Sequence, residues 1–347
     1  MPETRVEVPE MVMLEILSKL PVKSLTRFRC VCKPWCSSFQ TPHFITKHHR
    51  NNLHNNNLNL LLKRCQGNTR DDIYYFSQLS IEKGQNFSAQ HNIHLPFFED
   101  CWYAPVVSGP CNGLLCLHDA DKVALWNPST REFKSLPQST VQRPPSVDST
   151  SFDCFGIGFD SQSGDYKVVN FVSNFFEENE DEGLMGPPIP GVEPYGSPLF
   201  NNYVNGFYYW RATGDSDRLI LSFDMVNEKF STLPLPEFGG SLAEYYLELL
   251  DFNGLLGAIV YPRGGADKSF DLWVMNGSWT KQFSIESLLG VERPLGLWKN
   301  GELFLESSDH KLVLFDPSTR ELKNLGIHAY QETMQIIAYV ESLVPID

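Results

Sequence analysis

Residues 125–133 read Leu125-Trp-Asn-Pro-Ser-Thr-Arg-Glu-Phe133, and residues 314–322 read Leu314-Phe-Asp-Pro-Ser-Thr-Arg-Glu-Leu322. Six of the nine positions are identical and the other three are close exchanges. A weaker copy stands at Ser222-Phe-Asp-Met-Val-Asn-Glu-Lys-Phe230. Each copy spells a strand, a turn and a returning strand. The Asn or Asp side chain bonds the backbone N–H groups just ahead of it, Pro presets the next φ, and the apolar residue at the far end resumes the strand.

A second marker sets the period. Asn112-Gly113, Asn205-Gly206, Asn253-Gly254 and Asn300-Gly301 each lead into a strand-like run. Asn-Gly tolerates φ > 0 at both positions and is a strong hairpin signal. The spacings are 93, 48 and 47 residues, so the first interval holds two periods. The turn due near residue 159 falls on Phe159-Asp-Ser-Gln-Ser-Gly-Asp165, and the one before Asn112 falls beside Gln66-Gly67-Asn68. A repeat of this length with several strands is the signature of a β-propeller, in which each blade buries its faces on its neighbours. Six blades fit residues 60–340. Thr333–Val344 is a last strand-like run, placed to pair with Leu58–Lys63 and close the ring. Ala243–Leu250 fits helical spacing too, but its place before Asn253-Gly254 argues for a strand. A β-sandwich or an irregular array of hairpins is the alternative that the same turns allow.

Composition narrows the function classes. The chain has 347 residues, 42% of them hydrophobic and 24 of them Phe, which is ample for a packed core and excludes global disorder. Residues 1–50 carry eight basic and four acidic side chains, which leaves 20 basic and 38 acidic for residues 51–347, or +4 against −18. A body of that charge repels nucleic acid. No run reaches the length of a membrane span, and Met1–Glu10 lacks the apolar core of a secretion leader. A cytoplasmic or also nuclear protein is therefore expected. The eight cysteines, among them Cys30, Cys32, Cys36, Cys111 and Cys116, lack two matched thiolate pairs, so free, mostly buried thiols are expected rather than a metal site.

The first fifty residues have helical period. Pro9, Val12, Met13, Ile16, Leu17 and Leu20 fall on one helical face, Pro21 breaks it, Ser24 opens a second helix with Leu25, Phe28 and Val31, and Pro34 a third with Trp35 and Phe39. Three helices this short make a thin core, so the apolar stripe meets either a partner or the rest of the chain. Arg50–Asn59, rich in Asn, reads as a linker or loop. The expected division is a helical module at 1–50, a linker at 51–59 and a β domain at 60–347.

Val8-Pro9-Glu10, Glu15-Ile16-Leu17, Leu20-Pro-Val-Lys-Ser-Leu25, Arg27-Phe-Arg29 and Val31-Cys-Lys-x-Trp35 stand in order, and as a set they resemble the F-box motif of plants. The resemblance implies docking on the Skp-type adaptor of a cullin–RING ubiquitin ligase. It points to Val8, Pro9, Val12, Met13, Ile16, Leu17, Leu20, Leu25, Phe28, Val31, Cys32 and Trp35 as the adaptor face. Val8 replaces the usual Leu, and Met11 stands where a polar residue is commoner; both keep or add apolar surface. Further on, Cys111-Asn-Gly-Leu-Leu-Cys116, Leu125–Arg131, Gly156-x-Gly158-Phe-Asp160 and Asp165-Tyr-Lys-Val-Val169 resemble the plant F-box-associated, kelch-like domain. Within that family the chain is similar to the S-locus F-box and S-locus F-box-like group. The resemblances together imply a mainly β chain in which a three-helix F-box precedes a six-bladed propeller-like domain. They imply a substrate receptor whose target is a protein, with the basic T2-type ribonuclease of the pistil, in self-incompatibility, as the candidate.

Phe171–Leu199 interrupts the repeat with an acidic run and then several prolines, which repel and deny ladder bonds, so an extended loop is expected. Such loops carry recognition on rigid scaffolds. Phe175, Phe176, Glu177, Glu178, Glu180, Asp181, Glu182 and Tyr195 are its candidate target-binding residues. Catalytic patterns are missing: Gly156-x-Gly158 lacks a third glycine, no Gly-x-Ser-x-Gly occurs, and His48, His49, His91 and His94 have no matching acids. No catalytic residue, metal or cofactor is expected. The competing reading is a propeller hydrolase or oxidase whose N-terminal helices are merely structural.

Overall fold

The turns set the architecture. A computed structural model describes residues 8–66, 73–82, 86–93, 95, 97, 105–119, 122–137, 149–175 and 189–346. Asn112 and Gly113 (φ 48° and 83°) and Asn253 and Gly254 (φ 54° and 79°) are both left-handed, the twist that lets a two-residue loop return a strand. In the repeat motif the Asn127 Oδ1 accepts from the Ser129 and Thr130 N–H groups at 3.0 and 3.3 Å, and Arg131 turns left-handed at φ 64°. Asp316 and Arg320 do the same, with Oδ1 accepting from the Ser318 N–H at 2.8 Å. Asp224 and Glu228 form the third copy. The turn expected at Phe159–Asp165 is a fourth copy: Asp160 Oδ1 accepts from the Gln162 and Ser163 N–H groups, and Gly164 holds the left-handed position. Its signal was Asp followed four residues later by Gly.

Among the described residues, blade one is residues 58–93 with a strand returned from 335–340, blade two is 106–135, blade three 193–234, blade four 245–289 and blade five 291–328. Each has four or five strands. Between blades two and three stands a two-stranded ribbon, Ser149–Asp160 with Asp165–Phe175. The six-bladed expectation is thus corrected to five full blades and a ribbon. Its arithmetic counted turns, and one turn guarantees two strands, not four. Strands of successive sheets touch from blade one through the ribbon to blade five and back, which closes a ring. Tyr245–Phe252 is a strand, as its position before a hairpin implied.

The ring is closed as expected. Gln335–Val340 pairs antiparallel with Leu58–Gln66, Leu58 opposite Val340 and Lys63 opposite Gln335. The core lies in the wedges between blades. Leu60, Leu62, Phe304 and Ile336 fill the one–five wedge, Leu61, Phe76, Trp126 and Ile337 the one–two wedge, and Tyr208, Trp210 and Met225 meet Cys154 beside the ribbon. Alternation sends neighbours such as Leu60 and Leu61 into different wedges, which is why these strands are apolar on both faces.

The N-terminal module has four helices rather than three: α1 (Glu10–Leu17), α2 (Val22–Phe28), α3 (Lys33–Ser38) and α4 (Pro42–His54). Thr41 caps α4, its Oγ1 accepting from the Phe44 N–H at 3.3 Å, and Pro42 opens the first turn. The Asn-rich stretch expected as a linker over 51–59 therefore shrinks to 55–57, because α4 runs to His54 and Leu58 is already in a strand.

Candidate functional site

Two places in the molecule are candidate sites. The first is the helical module. Leu17, Val22, Leu25, Phe39 and Phe44 form its core together with Leu343 from the other end of the chain. Rings run on from Phe44 through Phe39 and Trp35 to Phe28, with centroids 5.0, 6.3 and 5.7 Å apart. His48, fully buried, hydrogen-bonds the Leu20 carbonyl through Nε2 at 2.9 Å and so satisfies an acceptor beyond the end of α1. Burial lowers its pKa, which keeps the ring neutral. The module also leans on the propeller, since the Glu341 carboxylate accepts from the Val22 N–H at 2.8 Å.

That core divides the residues of the expected adaptor face. Leu17 and Leu25 point inward and are buried. Met13, Leu20, Phe28, Trp35 and Cys32 are half-buried, the first four packed on the core. Val8, Pro9, Val12, Ile16 and Val31 are exposed, Ile16 at 55%, and Met11 joins them at 83%. Val12 and Ile16, four residues apart on α1, share one side, and Val8 lies just ahead of the helix. The stripe thus splits: one edge packs on this chain and the other faces outward.

The second place is a cavity of about 790 Å3 whose walls come from all five blades, blade three through residues 197–199. Val106 of blade two and Tyr246 of blade four both line it, which sets it on the axis of the ring. Its buried acids are paired. Glu306 accepts from Arg293 Nε at 2.8 Å and from the Glu332 N–H at 3.1 Å, and Glu248 accepts from Arg211 Nη1 at 2.8 Å. Burial raises the pKa of Glu248 against the pull of Arg211. Two buried lysines have no carboxylate. Lys268 donates to the Pro262 and Arg263 carbonyls at 3.1 and 3.0 Å. Lys63, 8% exposed, has no hydrogen-bond or ion-pair partner among the described residues. Burial, reinforced by the Arg293 charge, pushes its ammonium down to about 8. Sequence reading missed this cluster, because Lys63 sits at the end of an apolar strand and its neighbours lie some two hundred residues away.

The expected target-binding residues are only partly in view. Residues 176–182 lie outside the described residues, as does the Phe175 side chain. Tyr195 is half-buried under two of this chain's own guanidinium groups, Arg211 and Arg218, at 5.6 and 5.1 Å from its ring, and its hydroxyl accepts from Arg218. Gly156 and Gly158 prove to be packing devices: a Cβ at Gly156 would stand 2.6 Å from the Trp210 ring, and one at Gly158 2.5 Å from Met225. Cys65, Cys111, Cys116 and Cys154 are buried, and burial pushes the thiols of Cys111 and Cys116 up to about 12. No helix among the described residues is long and apolar enough to cross a membrane.

Against known proteins, the F-box domain pattern matches residues 7–47, and the F-box associated beta propeller domain pattern matches residues 61–182 and 196–338. The chain belongs to the plant-type F-box proteins that carry an F-box-associated β-propeller. Among its relatives in Arabidopsis thaliana, the F-box/kelch-repeat protein At3g23880 is 31% identical over 83% of this chain and 82% of its own. The F-box protein At3g07870 is 25% identical, over 96% and 91%, and the F-box protein CPR1 is 26% identical, over 97% and 88%.

Proposed function

We propose that this chain is the substrate-recognition subunit of a Skp–cullin–F-box ubiquitin ligase, with residues 8–54 docking a Skp-type adaptor and the propeller holding a target protein. The carrying observation is the outward apolar edge of an F-box module whose inner edge is already satisfied. Val8, Val12, Ile16 and Val31, with Met11 added, are too many exposed apolar groups on one small module to lack a cover. The chain's part in ubiquitin transfer is then proximity and orientation rather than catalysis by its own side chains. Val12→Ala with Ile16→Ala tests this, because both side chains are exposed and their loss leaves the core intact. Adaptor affinity falls at least tenfold while the melting temperature holds; unchanged affinity refutes the docking face. Leu17→Ala is the poorer test, since Leu17 is core.

The target is the finer part of the reading. The −18 balance of residues 51–347 supports a cationic protein, and the resemblance to the S-locus group makes a basic T2-type ribonuclease the one to try first. Association steered by that charge slows as salt rises toward physiological strength, where the screening length is about 8 Å. An on-rate indifferent to salt removes the electrostatic argument.

A further inference from the structure

We infer that the axial cavity of the propeller is a binding site for an oxyanion, a carboxylate or phosphate group, with Lys63 as its counter-charge. An ammonium removed from water without a partner is costly, and a folded chain retains one most readily where a ligand supplies the missing charge. Lys63 comes close to this: all but 8% of the residue is buried, what remains opens on the cavity it lines, and it has no hydrogen-bond or ion-pair partner among the described residues.

The surrounding charges leave it uncompensated. Arg293 is held by Glu306 and by the Met334 carbonyl at 2.9 Å, and Arg211 neutralises Glu248. Lys268 is held by backbone carbonyls alone. Counting these four cations against the two acids leaves two positive charges in excess, and the exposed Arg263, Glu292 and Glu332 of the lining reduce that to one. The acids at the mouth, Glu292 and Glu332, are exposed, so water and salt weaken their reach inward. The volume falls in the usual range for small-ligand sites. The oxyanion has two possible sources, a free small molecule or an acidic side chain of a bound protein. The inference does not rest on adaptor docking, which involves the far side of the helical module.

The test uses the full chain at low ionic strength, with sodium chloride of equal ionic strength as control. Inorganic phosphate and succinate probe the free anion, and a blocked hexapeptide with a single phosphoserine probes the protein-borne one. At about ten times its dissociation constant, a binding probe raises the melting midpoint by at least about 2 °C. Lys63→Met abolishes that rise, and the ligand-free variant melts no lower than the parent because it has lost an unpaired buried charge. A Lys63-dependent shift with phosphate or succinate assigns a free ligand, and one with the peptide alone assigns a group on the target. If no probe shifts the midpoint, or if the shift survives in Lys63→Met, the site is refuted. Calorimetric titration of Lys63→Gln decides the matter should Lys63→Met fold poorly: binding at parental affinity overturns the proposal.

Discussion

At position 127 the repeat motif carries an amide where the other three copies carry a carboxylate, at Asp160, Asp224 and Asp316. The Asn127 Oδ1 makes the same turn as theirs. Its Nδ2 donates to the Ser342 and Val344 carbonyls at 3.1 and 2.9 Å, while Ser129 Oγ accepts from the Ser342 N–H at 3.2 Å. The residue is fully buried. Asp in its place sets a carboxylate oxygen against two carbonyls with no water between them. Asn127→Asp therefore destabilises the chain by roughly 3 kcal/mol in denaturant melts, and hydrogen exchange rises at Ser342. Asp316→Asn, whose turn needs only the acceptor, costs under about 1 kcal/mol. Equal losses in the two variants refute the tail-docking role.

At the scale of elements, the segment 335–346 does two things in sequence. Gln335–Val340 completes blade one, and residues 341–344 then clasp the helical module through Glu341 and Leu343. Removing 333–347 exposes the edge of Leu58–Gln66, so the truncated chain aggregates. Removing only 341–347 leaves the ladder intact, and that chain stays monomeric with a looser module. Size-exclusion chromatography and melting curves separate the two, and a soluble, cooperatively melting 333–347 truncation counts against ring closure. The ribbon is tied by different means. Lys167 bridges Asp160 at 3.0 Å and Glu228 at 2.6 Å and donates to the Met225 carbonyl, which joins two copies of the turn.

Across the whole molecule, burial of ionisable groups sets a response to acid. His118 stacks on Phe155 with centroids 3.8 Å apart, and burial, then the Lys63 charge, lowers its pKa from 6.5 to about 3. Above pH 6.5 both folded and unfolded chains hold it neutral. Below that, the unfolded chain takes a proton that the folded site refuses until about pH 3. This group's stability contribution therefore declines as pH falls across that window, by up to about 1.4 kcal/mol per pH unit. His48 and His49, also lowered by burial, add in the same direction. His118→Phe keeps the stack and removes the titration, so its stability falls less steeply from pH 6.5 to 4. An unchanged slope shows that His118 does not carry the effect.

Local chemistry made much of this legible in the sequence. Asn-Gly pairs and Asx turns act within four residues, so their positions, the period and the closing strand could be read directly. Helical spacing located the apolar stripe on α1 for the same reason. Which edge of that stripe turns inward was decided by packing on the other helices and on Leu343, more than 300 residues away, and so lay beyond any periodicity. The count of full blades was likewise tertiary, because a turn marks a hairpin without saying whether further strands join it. The axial cavity depended wholly on the closed ring: Lys63, Lys268 and Arg293 become neighbours only once the wedge packing has brought separate blades round a common axis.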